Sequence, residues 1–170
     1  MSRFSIINLV FFQAAWFLAA WYTDAAAAFL LLLLCCHFVL SPTKRIDLKV
    51  LYGAVLGITT DQVLISTSVF GTDSSLIPIW LILLWGCFAV SLNHSLAWLQ
   101  QLSLTKVAII GAFAGPSSYF AALKLEALTT TLNQGHFLIL LALVWAALLP
   151  ALVSISKHST MNEQHVKVTP

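Results

Sequence analysis

Two stretches of this chain, FLLLLLCCHFVL at 29–40 and FLILLALVWAALLPALVSI at 137–155, contain no charged residue. A hydrocarbon layer about 30 Å thick accommodates a helix of about 20 apolar residues. Six stretches of this kind can be marked, at 4–22, 25–40, 48–69, 77–99, 107–123 and 137–155. Eight Lys and Arg with six Asp and Glu cannot clothe a soluble domain of 170 residues, because such domains are about one quarter charged. Here charged residues make up 8% and hydrophobic ones 60%, and mean hydropathy is +0.95. The expected solvent is therefore the bilayer. The expected fold class is all-α: a polytopic membrane protein with six transmembrane helices in one compact bundle. Residues 1–156 would form that domain, and 157–170 a polar, flexible cytoplasmic tail with too few apolar residues for a fold of its own.

Positive charge predicts the threading. With both termini cytoplasmic, the inner segments hold Arg3, Lys44, Arg45, Lys49, Lys106, Lys157 and Lys167, and the outer ones hold Lys124 alone. That is the bias expected for cytoplasmic loops, and it places both termini of a multi-pass protein in the cytoplasm. The separators SPTKRID, GTDSSLIP, QQLSLTK and EALTTTLNQG supply turn-forming residues. Only YTD parts the first two stretches, which predicts a tight helical hairpin. The first stretch has features of a cleavable leader, but Asn8, Gln13 and its bulky aromatics argue against cleavage.

Helices in lipid associate through small residues and interhelical hydrogen bonds, since burial of oil gives no drive there. Gly53-x-x-x-Gly57 and Gly111-x-x-x-Gly115 are the expected packing faces. Gly53, Gly57, Asp61, Leu64 and Ser68 recur at helical spacing, so Asp61 should look into the bundle. A carboxylate at that depth costs several kcal/mol unless it is paired, hydrated or protonated. Candidate partners are Gln62 beside it, Asn93 and His94 on the fourth stretch, and Pro116, Ser117, Ser118 and Tyr119 on the fifth. At 1.5 Å per residue Asp61 and His94 fall roughly 12 Å apart in depth, too far for a direct hydrogen bond. The reading is a polar track from Asp61 through Ser117 and Ser118 to Asn93 and His94, lining a ligand path. Interhelical hydrogen bonding without further function explains the same residues.

Chemical motifs are few. No nucleophile elbow, zinc-protease helix, phosphate loop or dinucleotide fingerprint occurs. Asp61 is the one carboxylate expected at depth, and His94 the one plausible zinc ligand, so neither metal nor cofactor is expected. Cys35, Cys36 and Cys87 read as small packing residues, and His37 as interfacial. The formal charge of +2 gives no reason to expect nucleic acid.

Thr60-Asp61-Gln62, the N-H-S-L-A-W run of 93–98 and the G-P-x-x-Y run of 115–119 together resemble a family of short bacterial inner-membrane proteins, domain of unknown function 2878. The likeness covers most of the chain and excludes the tail. It implies a multi-span membrane protein and brings no catalytic residue or cofactor. An association of its members with relatives of fatty-acid-modifying methyltransferases implies a link to membrane-lipid metabolism. The preferred function is a non-enzymatic membrane protein binding or passing a small polar or lipidic ligand. Two alternatives stand beside it: an intramembrane enzyme or accessory factor in fatty-acid modification, and an assembly subunit for another membrane protein or a second copy.

Overall fold

Backbone polar groups in a bilayer must be satisfied within the chain, and the apolar stretches do this as helices. A computed structural model of the chain describes residues 2–168, with side chains as far as Met161. Regular structure among the described residues is helical: α1 Arg3–Tyr22, α2 Ala27–Leu40, α3 Lys44–Ser66, α4 Ile79–Ser91, α5 Leu104–Lys124 and α6 Gln134–Val168. Short 3₁₀ turns occupy Thr23–Ala26 and Ala97–Gln101. An isolated antiparallel bridge joins Gly71 to Thr129.

Four segments are long and apolar enough to cross a membrane: Arg3–Leu40, Lys44–Ser66, Leu104–Lys124 and Gln134–Met161. The first is doubled back on itself. Thr23, with φ 45° and ψ −117°, turns the chain, and Asn8 of α1 comes within 3.3 Å of His37 of α2. A straight helix would hold those residues ~44 Å apart. The expected hairpin is present. The fourth stretch differs from expectation: α4 ends at Ser91, and 92–101 continue as turns and 3₁₀ helix. Asn93 and His94 therefore sit on irregular backbone. At 13 residues α4 is a shorter apolar helix.

Caps explain several ends. Ser2 accepts a hydrogen bond from the amide of Ser5 at 3.1 Å, capping α1. Helices α3 and α5 stop in the same way, with Ser68 at φ 59° and Glu126 at φ 60°. The next amides, of Val69 and Ala127, reach back to the carbonyls of Leu64 and Ala122 at 2.9 and 3.0 Å. This is the paired-bond helix ending usually built on glycine. Ser68 thus falls beyond α3 and leaves the stripe in which the spacing places it. α6 does not end near Ile155: it continues to Val168, with Ser156 and Ser159 buried. Of the expected tail, Thr169 and Pro170 lie outside the described residues.

Polarity is inverted relative to a water-soluble fold. Asp47 and Asp61 are fully buried, while Tyr52, Phe113, Val39 and Leu143 are each more than 70% exposed. That distribution suits an apolar surround. Two tryptophans fill the bundle centre. The Trp85 and Trp145 rings stack at 5.6 Å and 15°. The glycine motifs make room for them: a β-carbon on Gly57 would run into the Trp85 ring, and one on Gly115 into the Trp145 ring. At Gly111 the obstacle is backbone, the carbonyl of Trp145. Gly53 meets only the Leu152 and Ile155 side chains, at 3.5 and 3.7 Å.

Backbone cannot yield as a side chain end can, so Gly111→Ala should cost about 1–3 kcal/mol. Gly53→Ala should stay within ~0.5 kcal/mol of wild type. Unfolding of both variants in mild detergent, followed by tryptophan fluorescence, measures the difference.

Candidate functional site

Two clusters of buried polar side chains are anchored on α3, each around an acid. Asp47, Val50, Gly53, Ala54, Gly57, Asp61 and Leu64 make its buried face, and the two acids stand at either end of it, about four turns apart.

Asp61 occupies the end near the Gly71–Thr129 bridge. Its Oδ2 accepts the indole N–H of Trp85 at 2.7 Å, and its Oδ1 accepts the hydroxyl of Tyr119 at 2.5 Å. Both donors come from other helices, α4 and α5, so the carboxylate ties three elements together. The Trp145 ring closes this cluster against Trp85 and Tyr119. Gln62, next in sequence, faces another way. Its amide donates to Ser66 Oγ and the Ser75 carbonyl at 3.0 and 3.1 Å, and its oxygen accepts the Ile77 amide at 2.8 Å. Gln62 thereby holds the 67–78 loop to the top of α3.

Asp47 occupies the other end, and four side chains converge on it. Oδ1 accepts the Asn93 amide at 2.6 Å and lies 2.9 Å from His94 Nε2. Oδ2 lies 3.2 Å from His37 Nε2 and accepts the hydroxyl of Ser41. A carboxylate has about four lone-pair positions, and all of them are in use. A further shell orients the first. Asn8 Oδ1 accepts both the amide and the hydroxyl of Ser95, at 3.2 and 2.6 Å, which turns its Nδ2 towards His37 Nδ1. His37 Nδ1 is then the acceptor, and the ring proton sits on Nε2, facing Asp47. Phe4 packs edge-on against His94 at 4.7 Å and tilted against His37 at 5.3 Å.

The residues expected to form one track are thus divided. Asp61 and Tyr119 meet in one cluster, Asn93 and His94 in the other. Ser117 turns its hydroxyl back to the carbonyl of Phe113 at 2.7 Å within its own helix. Ser118 accepts the indole N–H of Trp16 at 2.8 Å. Pro116 is buried inside α5, which continues through it. Among the described residues no hydrogen bond carries Asp61 through these serines to His94. The reason is the break after Ser91, which aims Asn93 and His94 at the start of α3 rather than along the bundle.

Sequence reasoning missed Asp47 and undervalued His37. Asp47 follows Lys44 and Arg45 and resembles an interfacial acid, yet it is fully buried. Extending the Gly53–Gly57–Asp61 stripe back by two turns would have reached it. With it in place the elimination of all zinc ligands but His94 does not hold: His37, Asp47 and His94 bring ligand atoms within 4.8 Å of one another.

Beside the Asp61 cluster an apolar cavity of about 640 Å³ opens between α1, α4 and α5, with Trp145 and Leu149 of α6 at its back. Aromatic side chains, Trp16, Trp85, Phe88 and Tyr119 among them, line its wall together with the polar side chains of Gln13, Ser117 and Ser118.

An all-helical bundle with an apolar exterior, buried acids and several helices able to span a bilayer belongs to the membrane class. Within that class, the chain belongs to a family described as protein of unknown function (DUF2878), whose model matches residues 5–151. Comparison with curated proteins and comparison with solved structures each returned no match.

Removing the Asp61 carboxylate leaves two buried donors without an acceptor, at about 1–3 kcal/mol each. Asp61→Leu should therefore lose about 2–6 kcal/mol. Asp61→Asn, which keeps one acceptor oxygen, should lose less. Thermal unfolding in detergent ranks the two, and equal losses would remove the hydrogen bonds from the explanation.

Proposed function

We propose that this protein spans a bacterial inner membrane six times, with both termini cytoplasmic, and takes the apolar part of a lipid-like ligand into the cavity between α1, α4 and α5. The observation that carries the ligand reading is the cavity itself. Ligand pockets are typically about 300–1,000 Å³, mostly apolar, with a few polar groups that orient the guest. This one has 640 Å³, aromatic walls and three polar side chains, Gln13, Ser117 and Ser118. Its lining on α5 extends from Ile110 to Ala122, ~18 Å of helix. A flexible chain with a small polar group fits that length and lining better than a compact polar solute. The Asp61 cluster keeps Trp85 and Tyr119 in place as wall residues.

The threading draws support from which loops meet. At one end Gly71 pairs with Thr129, and Thr130 donates to the Val69 carbonyl at 2.7 Å. At the other, Asn93 donates to Thr43 at 3.1 Å, Thr160 lies 3.5 Å from Asn93 Oδ1, and Phe4 packs on His94. The first residues of α1 and the distal part of α6 thus share one end, as an even number of crossings requires. Lys44, Arg45 and Arg3 cluster near that end, in keeping with the positive-inside bias. The 92–101 turns lengthen the path of the short α4, and their backbone amides pair within the segment, as those of Leu96 and Leu99 do with the carbonyls of Ser91 and Leu96.

Single cysteines placed at Ser2 and Ser74 in a chain lacking its three native ones test the threading. Ser74 should react with an impermeant thiol reagent applied outside intact cells, and Ser2 only after lysis; the reverse pattern would invert the protein. For the ligand, native mass spectrometry in mild detergent should find a bound lipid or fatty acid. Ala114→Trp and Ala121→Phe, which fill the cavity, should reduce occupancy at least five-fold while keeping the unfolding temperature. Unchanged occupancy in both would remove the cavity as the binding place.

A further inference from the structure

We propose that His37, Asp47 and His94 form a binding site for one divalent transition-metal ion of the zinc kind. The site lies at the opposite end of α3 from the Asp61 cluster, uses none of the cavity residues, and stands or falls independently of the ligand reading.

Three features of the geometry carry it. First, the ligand atoms converge from three separate elements. His37 Nε2 comes from α2, an Asp47 carboxylate oxygen from α3 and His94 Nε2 from the irregular segment after α4, all within 4.8 Å. A tetrahedral ion with bonds of about 2.1 Å separates its ligand atoms by ~3.4 Å. His94 Nε2 lies 2.9 Å from Asp47 Oδ1 and His37 Nε2 3.2 Å from Oδ2, so both imidazole nitrogens already face the carboxylate that would share the ion. Second, two imidazoles and one carboxylate are the donors that favour zinc-type ions over magnesium or calcium, which prefer all-oxygen shells. Three protein ligands leave a fourth position for water or a small anion. Third, the surroundings resemble those that orient metal-bound histidines elsewhere. The ring of Phe4 walls both imidazoles, Asn93 and Ser41 hold the carboxylate, and Asn8 contacts the far nitrogen of His37.

The Asn8 contact makes the proposal specific. Without an ion, His37 carries its proton on Nε2 and accepts from Asn8 through Nδ1. An ion on Nε2 moves that proton to Nδ1 within the same neutral ring. Nδ1–H then needs an acceptor, so the Asn8 amide must turn its oxygen to His37 and give up a bond to Ser95. A carboxylate at position 8 would accept from His37 and Ser95 together, without turning. Asn8→Asp should therefore bind the ion more tightly than wild type.

The test uses the full chain without a polyhistidine tag, with Cys35, Cys36 and Cys87 replaced by serine, purified in mild detergent and stripped with chelator. Titration with Co²⁺ should give the visible absorption of a tetrahedral ion, saturating at one per chain and displaced by Zn²⁺. His94→Gln and His37→Gln retain an amide N–H that can donate to Asp47, so they should fold; they should lose at least 90% of that signal. Asn8→Asp should lower the Co²⁺ dissociation constant about ten-fold, a change of the size that groups contacting metal-bound histidines produce. Mg²⁺ should not compete. If wild type takes up no more Co²⁺ than the folded glutamine variants, the cluster is a hydrogen-bonded brace and the proposal is overturned. An Asn8→Asp protein that binds more weakly than wild type would overturn the assigned ligand set.

Discussion

The arrangement of this molecule follows from the cost of placing a carboxylate in oil. Asp47 and Asp61 are fully buried, and an unpaired ion at such depth is costly. The chain meets that cost by bringing donors from distant segments to each acid: Ser41, His37, Asn93 and His94 to one, Trp85 and Tyr119 to the other. Each set of donors fixes the relative position of the elements that carry them. Where soluble folds draw helices together by burying oil, this one does so through two acids on a single helix face.

Packing around those acids is correspondingly tight. The stacked Trp85 and Trp145 rings stand where two glycine motifs withhold their β-carbons. The same Trp85 stacks, donates to Asp61 and walls the cavity. Packing, hydrogen bonding and the candidate ligand surface are therefore not separable at this residue. The Asp47 end differs in kind. Part of its backbone, 92–96, is turn rather than α-helix, and its carboxylate is met by four side chains instead of two.

Much of the architecture was legible in the residues. Apolar run lengths gave the helices, and YTD marked the hairpin. The spacing of Gly53, Gly57, Asp61 and Leu64 placed Asp61 on a buried face, where it lies. Periodicity carries that information because neighbours on a helix face are a fixed few residues apart. The parts not legible depend on tertiary geometry. Nothing in NHSLAWLQQ, which lacks glycine and proline, announces that the helix stops at Ser91, so Asn93 and His94, expected on the fourth stretch, lie on irregular backbone instead. Asn8 and His37 meet across 29 residues of chain, and no spacing rule connects them. The cavity is a space between helices, and a pattern of residues within helices does not contain it.

The placement of both acids on α3 has a consequence for how such a chain can change over evolutionary time. An inserted or deleted residue rotates everything beyond it by about 100° around a helix axis. Between positions 48 and 60 such an event would swing one acid away from its donors while the other stayed. Length variation should therefore be confined to the connections, above all 67–78 and 125–133, and the stretch from one acid to the other should behave as a ruler of constant length.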